Sequence, residues 1–92
     1  MWKRIFKKNQ NIVYRIVAGE AILVPIAQNP DELGYIFSLN ETSARIWELI
    51  DGKRTLLQVK EIIANEFEVG DEILSQDMFA LTRQLEKSEL IN

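Results

Sequence analysis

An α+β domain, with a three-stranded antiparallel sheet followed by three helices, is the fold predicted by three features of the 92 residues. Residues 11–39 hold β-branched and aromatic runs separated by turn signals. After Asn40 the apolar residues recur at helical spacing, and the chain is of one-domain length. The order along the chain is therefore β, then α.

Asn11 to Val17 alternates Ile12, Tyr14 and Ile16 against Val13, Arg15 and Val17. Ala18-Gly19-Glu20 supplies a turn before a second run, Ala21 to Ala27, which completes a hairpin. Pro25 lacks an N–H, so it marks a bulge or a place where no ladder bond is needed. Gln28 to Glu32 reads as a polar loop, and Gly34 to Leu39 as a third strand with Tyr35, Phe37 and Leu39 on one face and Ile36 and Ser38 on the other.

Asn40 is placed to cap a first helix, with Glu41 in its first turn and Ser43, Ile46, Trp47 and Ile50 along one face; Gly52 is its expected stop. Thr55-Leu56-Leu57-Gln58 matches a capping box and opens a second helix, whose inner face holds Leu56, Val59, Ile62, Ile63 and Phe67. A third helix is expected from about Glu72 to about Lys87, with Leu74, Met78, Leu81 and Leu85 as its core stripe. Phe79 lies off that stripe, alongside Thr82 and Glu86 and next to Arg83, where it would flank a groove.

Composition excludes several functions. Hydrophobic residues make up 47% and charged residues 27%, as in folded globular domains. With no His and no Cys, the commonest general base, the thiol nucleophile, the usual zinc ligands and any disulfide framework are all missing. The glycines are isolated and form no phosphate loop, and no carboxylate pair sits in apolar sequence. The chain therefore reads as a non-enzyme without cofactor or metal, at home in a reducing cytoplasm.

Residues 1–10 read as a basic tail, MWKRIFKK at its start, solvated or else touching a surface or partner, ahead of a domain over residues 11–92. No apolar run is long enough for a signal peptide or a membrane span.

Three helices after a small sheet also suggest a winged helix, and hence DNA binding. Against that, net charge is −3, and between Asp71 and Lys87 the cations Arg83 and Lys87 are outnumbered by Asp71, Glu72, Asp77 and Glu86. Nucleic acid is disfavoured as a partner. The third strand, uncharged and free of Pro, is unprotected if it lies at the sheet's edge, so it invites either a peptide or a second copy of the chain.

The stretch LNETSARIWELIDGKRTLLQV, Leu39 to Val59, carries a Leu-Asn, small residue, Ile-Trp, Asp-Gly, basic-Thr pattern that closely resembles the PqqD family. The resemblance extends over about residues 11 to 91. It departs near the end, where the family often has Gly and this chain has Ser88-Glu89, which leaves the last helix's stop open. What it implies is a recognition element for RiPPs, ribosomally made and post-translationally modified peptides. In that reading the precursor's leader adds an antiparallel strand to the third strand, in the cleft against the third helix, and is presented to a modifying enzyme. That enzyme is a radical S-adenosylmethionine enzyme, or a leader peptidase and cyclase of lasso-peptide type.

Carried onto this chain, the peptide-binding residues are Tyr35, Ile36, Phe37 and Ser38 for the backbone ladder. The helical wheel adds Phe79, Thr82, Arg83 and Glu86 as side-chain contacts. An edge-paired homodimer is the alternative.

Overall fold

The computed structural model describes residues 1–26 and 36–92. It contains β1 (Ile12–Val17), β2 (Glu20–Pro25), β3 (Phe37–Leu39), α1 (Glu41–Leu49), α2 (Leu56–Glu66) and α3 (Asp71–Lys87). The strands form one antiparallel sheet in the order β1-β2-β3, which places β3 at an edge. The three strands and three helices expected from the sequence are all present. No described helix is long and apolar enough to cross a membrane.

The hairpin turn is tighter than the sequence suggests, because Glu20 already pairs with Val17 and only Ala18 and Gly19 connect the strands. Both have positive φ, 51° and 81°, as a two-residue turn matching the sheet's twist requires. Pro25 is the last residue of β2, opposite Ile12, and the next residue, Ile26, donates to the Asn11 carbonyl at 2.7 Å. The ladder thus resumes one residue past the proline.

Facing pairs Tyr14–Leu23, Ile16–Ala21, Leu23–Phe37 and Ala21–Leu39 put one side of the sheet toward the helices. There Leu23 and Leu39 are buried beside Ile46 and Trp47 of α1, Leu56, Val59 and Ile63 of α2, and Leu74, Met78, Leu81 and Leu85 of α3. Each helical stripe faces the core as its spacing predicts.

Both expected N-caps form. Asn40 accepts from the Ser43 N–H at 2.8 Å, and the Thr55 hydroxyl and Gln58 amide complete a reciprocal capping box at 3.2 and 2.8 Å. The end of α1 differs from expectation. The helix stops at Leu49, not at Gly52, because Ile50 turns extended to bury its side chain and Asp51 accepts from the Lys53 and Arg54 N–H groups. Gly52 lies in the turn that follows, at φ 78°, where a Cβ would stand 3.3 Å from the Lys7 side chain.

The end of α3 resolves the question posed by Ser88-Glu89. Glu89 takes the left-handed position at φ 61°, the Leu90 N–H bonds to the Leu85 carbonyl at 2.8 Å, and the Glu89 N–H bonds to the Glu86 carbonyl at 3.0 Å. These are the two bonds of a Schellman stop, formed without glycine, with Leu85 and Leu90 both buried alongside.

The largest departure concerns residues 1–10, which are not a solvated tail. Phe6 is 3% exposed within the core. Around it, Trp2, Arg4 and Phe6 carbonyls accept from Leu57, Leu56 and Gly52, while Lys7 exchanges two bonds with Asn92 at 2.9 and 3.0 Å and Asn9 donates to Leu90. The arm runs between the α1–α2 turn and the C-terminus, bridging Ile5 to Thr55 and Lys8 to Ile91. Its basic residues ride over aromatic rings, with Arg4 at 4.4 Å from Phe6 and Lys8 at 5.1 Å from Trp47, so positive charge at this end reflects packing as much as solvation.

Two substitutions at left-handed positions, Ala18→Gly and Glu89→Gly, should each raise stability by about 1 kcal/mol, read as a higher urea midpoint at unchanged slope. Phe6→Ala should cost about 3–5 kcal/mol in the same titration, a loss that a solvated tail would not produce.

Candidate functional site

β3 receives its ladder from β2 on one side, and among the described residues no strand pairs with its outer edge. Along it Leu39 is buried, Phe37 is half-buried against the core and Ser38 is exposed; Ile36, expected within the strand, lies just before it and is 60% exposed. The alternation follows from the two-residue period of an extended chain. Tyr35, the remaining strand candidate, lies outside the described residues, as does Gly34.

The four candidates on α3 separate into three environments. Phe79 is 47% exposed and Arg83, one turn on, places its guanidinium 5.5 Å from the Phe79 ring centre. That pair forms a single apolar and cationic feature on the helix surface. Glu86, another turn along, pairs with Arg4 of the N-terminal arm at 2.8 Å, both side chains remaining substantially exposed. Its carboxylate is shared between helix and arm, and exposure keeps the pair's contribution small.

Thr82 is the correction. Its side chain is 2% exposed, and its hydroxyl donates to the Met78 carbonyl at 2.7 Å, with the Phe79 carbonyl at 3.2 Å. A threonine hydroxyl on a helix reaches the carbonyl one turn back, which satisfies it without a surface partner and lets the methyl join the core. The wheel put Thr82 beside Phe79, but α3 buries a face wide enough to include it. It therefore offers no side-chain contact to a ligand.

The structure does not gather the strand and helix candidates into one enclosed cavity. β3 packs against α1 and α3 against α2. Arg83 and Glu86 line a shallow surface groove of about 470 Å³ with Ala80, Gln84 and Lys87, whereas Ser38 and Leu39 border a groove of about 620 Å³ beside α1. The flank of α3 and the edge of β3 are open surfaces, suited to an extended ligand rather than a small enclosed one.

Electrostatic organisation centres on α1. Arg45 bonds Glu66 at 2.8 and 3.0 Å and Glu48 at 3.1 Å, which raises its own pKa and holds the Glu66 carboxyl below the usual range. Asp51 is likewise lowered, chiefly by the Arg54 and Lys53 backbone N–H groups. Burial pushes the Lys8 ammonium down, against the pull of Glu48 and Asp51. These residues hold elements together. Among the described residues no group of three metal-binding side chains is assembled.

Two features of this surface went unread in the sequence. The arm's contribution through Arg4 had a faint signal in Trp2 and Phe6, apolar residues set among cations. The groove beside α1 had none, since it depends on how far the hairpin overhangs the helix.

Comparison with known proteins bears on this geometry. The family described as "Coenzyme PQQ synthesis protein D (PqqD)" matches residues 20–91. A solved structure described as "TbiB1 in Complex with the TbiA(beta) Leader Peptide" superposes with a TM-score of 0.74 at 22% sequence identity, covering 94% of each chain. No curated protein matches this chain.

Thr82→Val should change stability by less than about 1 kcal/mol, because the Met78 carbonyl keeps its helical bond and the buried shape is preserved. Chemical denaturation checks it, and a larger loss would mean that the hydroxyl anchors the helix.

With its motif, its sheet order, its three helices and a family match spanning most of its length, the chain belongs to the PqqD family.

Proposed function

We propose that this chain binds the leader segment of a ribosomally made precursor peptide by strand addition to β3, in the cleft against α3, and presents it to a modifying enzyme. The observation that carries this reading is the position of β3, the outer strand of an open sheet, with Ile36 and Ser38 turned to solvent and neither Lys nor Pro among residues 36–39 to blunt the edge. Family membership supports it, as does the similar TbiB1 structure, which was solved with a leader peptide.

In this reading the ladder comes from the backbone of Ile36, Phe37 and Ser38. Main-chain bonds of this kind give affinity without dictating sequence, so selection falls to side chains. Phe79 provides an apolar face for a leader side chain and Arg83 a donor fork for a leader carboxylate. Glu86 contributes charge at the far end of the flank, steadied by Arg4. The enzyme served is a radical S-adenosylmethionine enzyme or a leader peptidase and cyclase of lasso type, both of which need the leader held while the core peptide is modified.

The same bare edge supports a second reading, pairing with another copy of the chain.

Titrating the labelled protein with a synthetic RiPP leader peptide should shift the backbone amides of Ile36 to Leu39. Phe79→Ala and Arg83→Glu should each weaken that binding about tenfold or more while moving the melting temperature by only a degree or two, since both side chains are exposed. Unshifted β3 amides at saturating leader would overturn strand addition. Light scattering that shows a dimer unchanged by leader would assign the edge to self-pairing.

A further inference from the structure

Tyr14 and Ile16 of β1 share the sheet face that buries Leu23 and Leu39, as their pairings with Leu23 and Ala21 require. Yet Ile16 is 67% exposed. The hairpin overhangs α1, so the core-side face of the sheet continues past the helix that should cover it. Beneath the overhang lies an open groove of about 620 Å³, whose lining includes two small residues, Ala21 and Ala44, and the aromatic Phe67.

Its apolar floor is bordered by Glu20, Glu41 and Glu48. The cation present there, Arg45, is already bonded to Glu66 and Glu48, and Glu48 also accepts from the Tyr14 hydroxyl at 3.2 Å. Glu20 and Glu41, both exposed, make no ion pair among the described residues. An uncovered isoleucine over an apolar floor, with carboxylates at the rim, is complementary to a large apolar side chain flanked by positive charge.

We propose that this groove is a docking site for a polypeptide segment of a partner protein that carries a large apolar side chain beside Lys or Arg. The apolar side chain fills the space between Ile16, Ala21 and Ala44, and the cations meet Glu20 and Glu41. The groove adjoins β3 at Ser38 and Leu39, includes nothing from α3, and leaves Ile36 and Phe37 outside it. A chain that presents one polypeptide to another needs two such surfaces, and these two adjoin at Ser38. The groove's occupancy does not depend on the leader reading, and either can fail alone.

The test uses the full labelled chain and two probes, acetyl-Lys-Leu-Phe-Lys-amide and its charge-reversed counterpart acetyl-Glu-Leu-Phe-Glu-amide. The basic probe should give saturable amide shifts at Ile16, Ala21 and Ala44, weakening with added salt, and the acidic probe should bind at least about tenfold more weakly. Ile16→Asp should abolish the shifts and Glu41→Gln reduce them, while leader-induced shifts at Ile36 and Phe37, outside the groove, persist in both variants. Because both residues are exposed, unchanged melting curves verify that the variants fold. Equal binding of the two probes, shifts centred outside the groove, or no saturable shift would overturn the proposal.

Discussion

Phe6 sits in the core with its ring 3% exposed, and the backbone on either side of it bonds in two directions. Toward α2, the arm accepts from Gly52, Leu56 and Leu57; toward the C-terminus, it exchanges bonds with Asn92 and donates to Leu90. One short extended segment thus joins the α1–α2 turn, the start of α2 and the end of the chain. In a domain this small, where the core is only just large enough to offset chain entropy, such a clasp matters. It fixes the C-terminal turn on which α3 ends, places Arg4 against Glu86, and crowds position 52, where a Cβ would stand 3.3 Å from the Lys7 side chain.

That clasp has a consequence for function. With α3 packed on α2 and the turn that follows it bonded to the arm, Phe79 and Arg83 stand on a helix held from two directions. In the proposed reading, specificity placed on a helix costs less ordering on binding than specificity placed on a loop, and the outer edge of β3 serves as an unselective ladder. That division of labour between backbone and side chain is what the proposed presentation of a leader to a modifying enzyme requires.

Much of the architecture was legible because local chemistry and long-range packing agree. Asn40 and the Thr55 to Gln58 box announce helix starts through donors that only those side chains satisfy, and the α3 stripe repeats at a period that admits one geometry. The candidate site was less legible. Phe37 and Ser38 lie in the third strand with alternating exposure, whereas Ile36 falls just before it, and Thr82 was misplaced because a wheel marks angular position and not the width of the face that neighbours cover. The N-terminal arm was misread for a related reason. Cations dominate its composition, and nothing local shows that Phe6 has a vacancy to fill.

By itself, then, the sequence determined the element order, the helix caps, the core stripes, the absence of histidine and thiol chemistry, and a family pattern dense enough to recognise. These are properties of neighbours within a turn or two of each other, or of composition alone. Only the tertiary structure decided that residues 1–10 close the domain, that Thr82 is buried, that Glu86 answers to Arg4, and that the hairpin overhangs α1 to leave a groove. Each of those depends on which surfaces meet across tens of residues of chain, and that is set by the joint packing of the elements rather than by the pattern within any one of them.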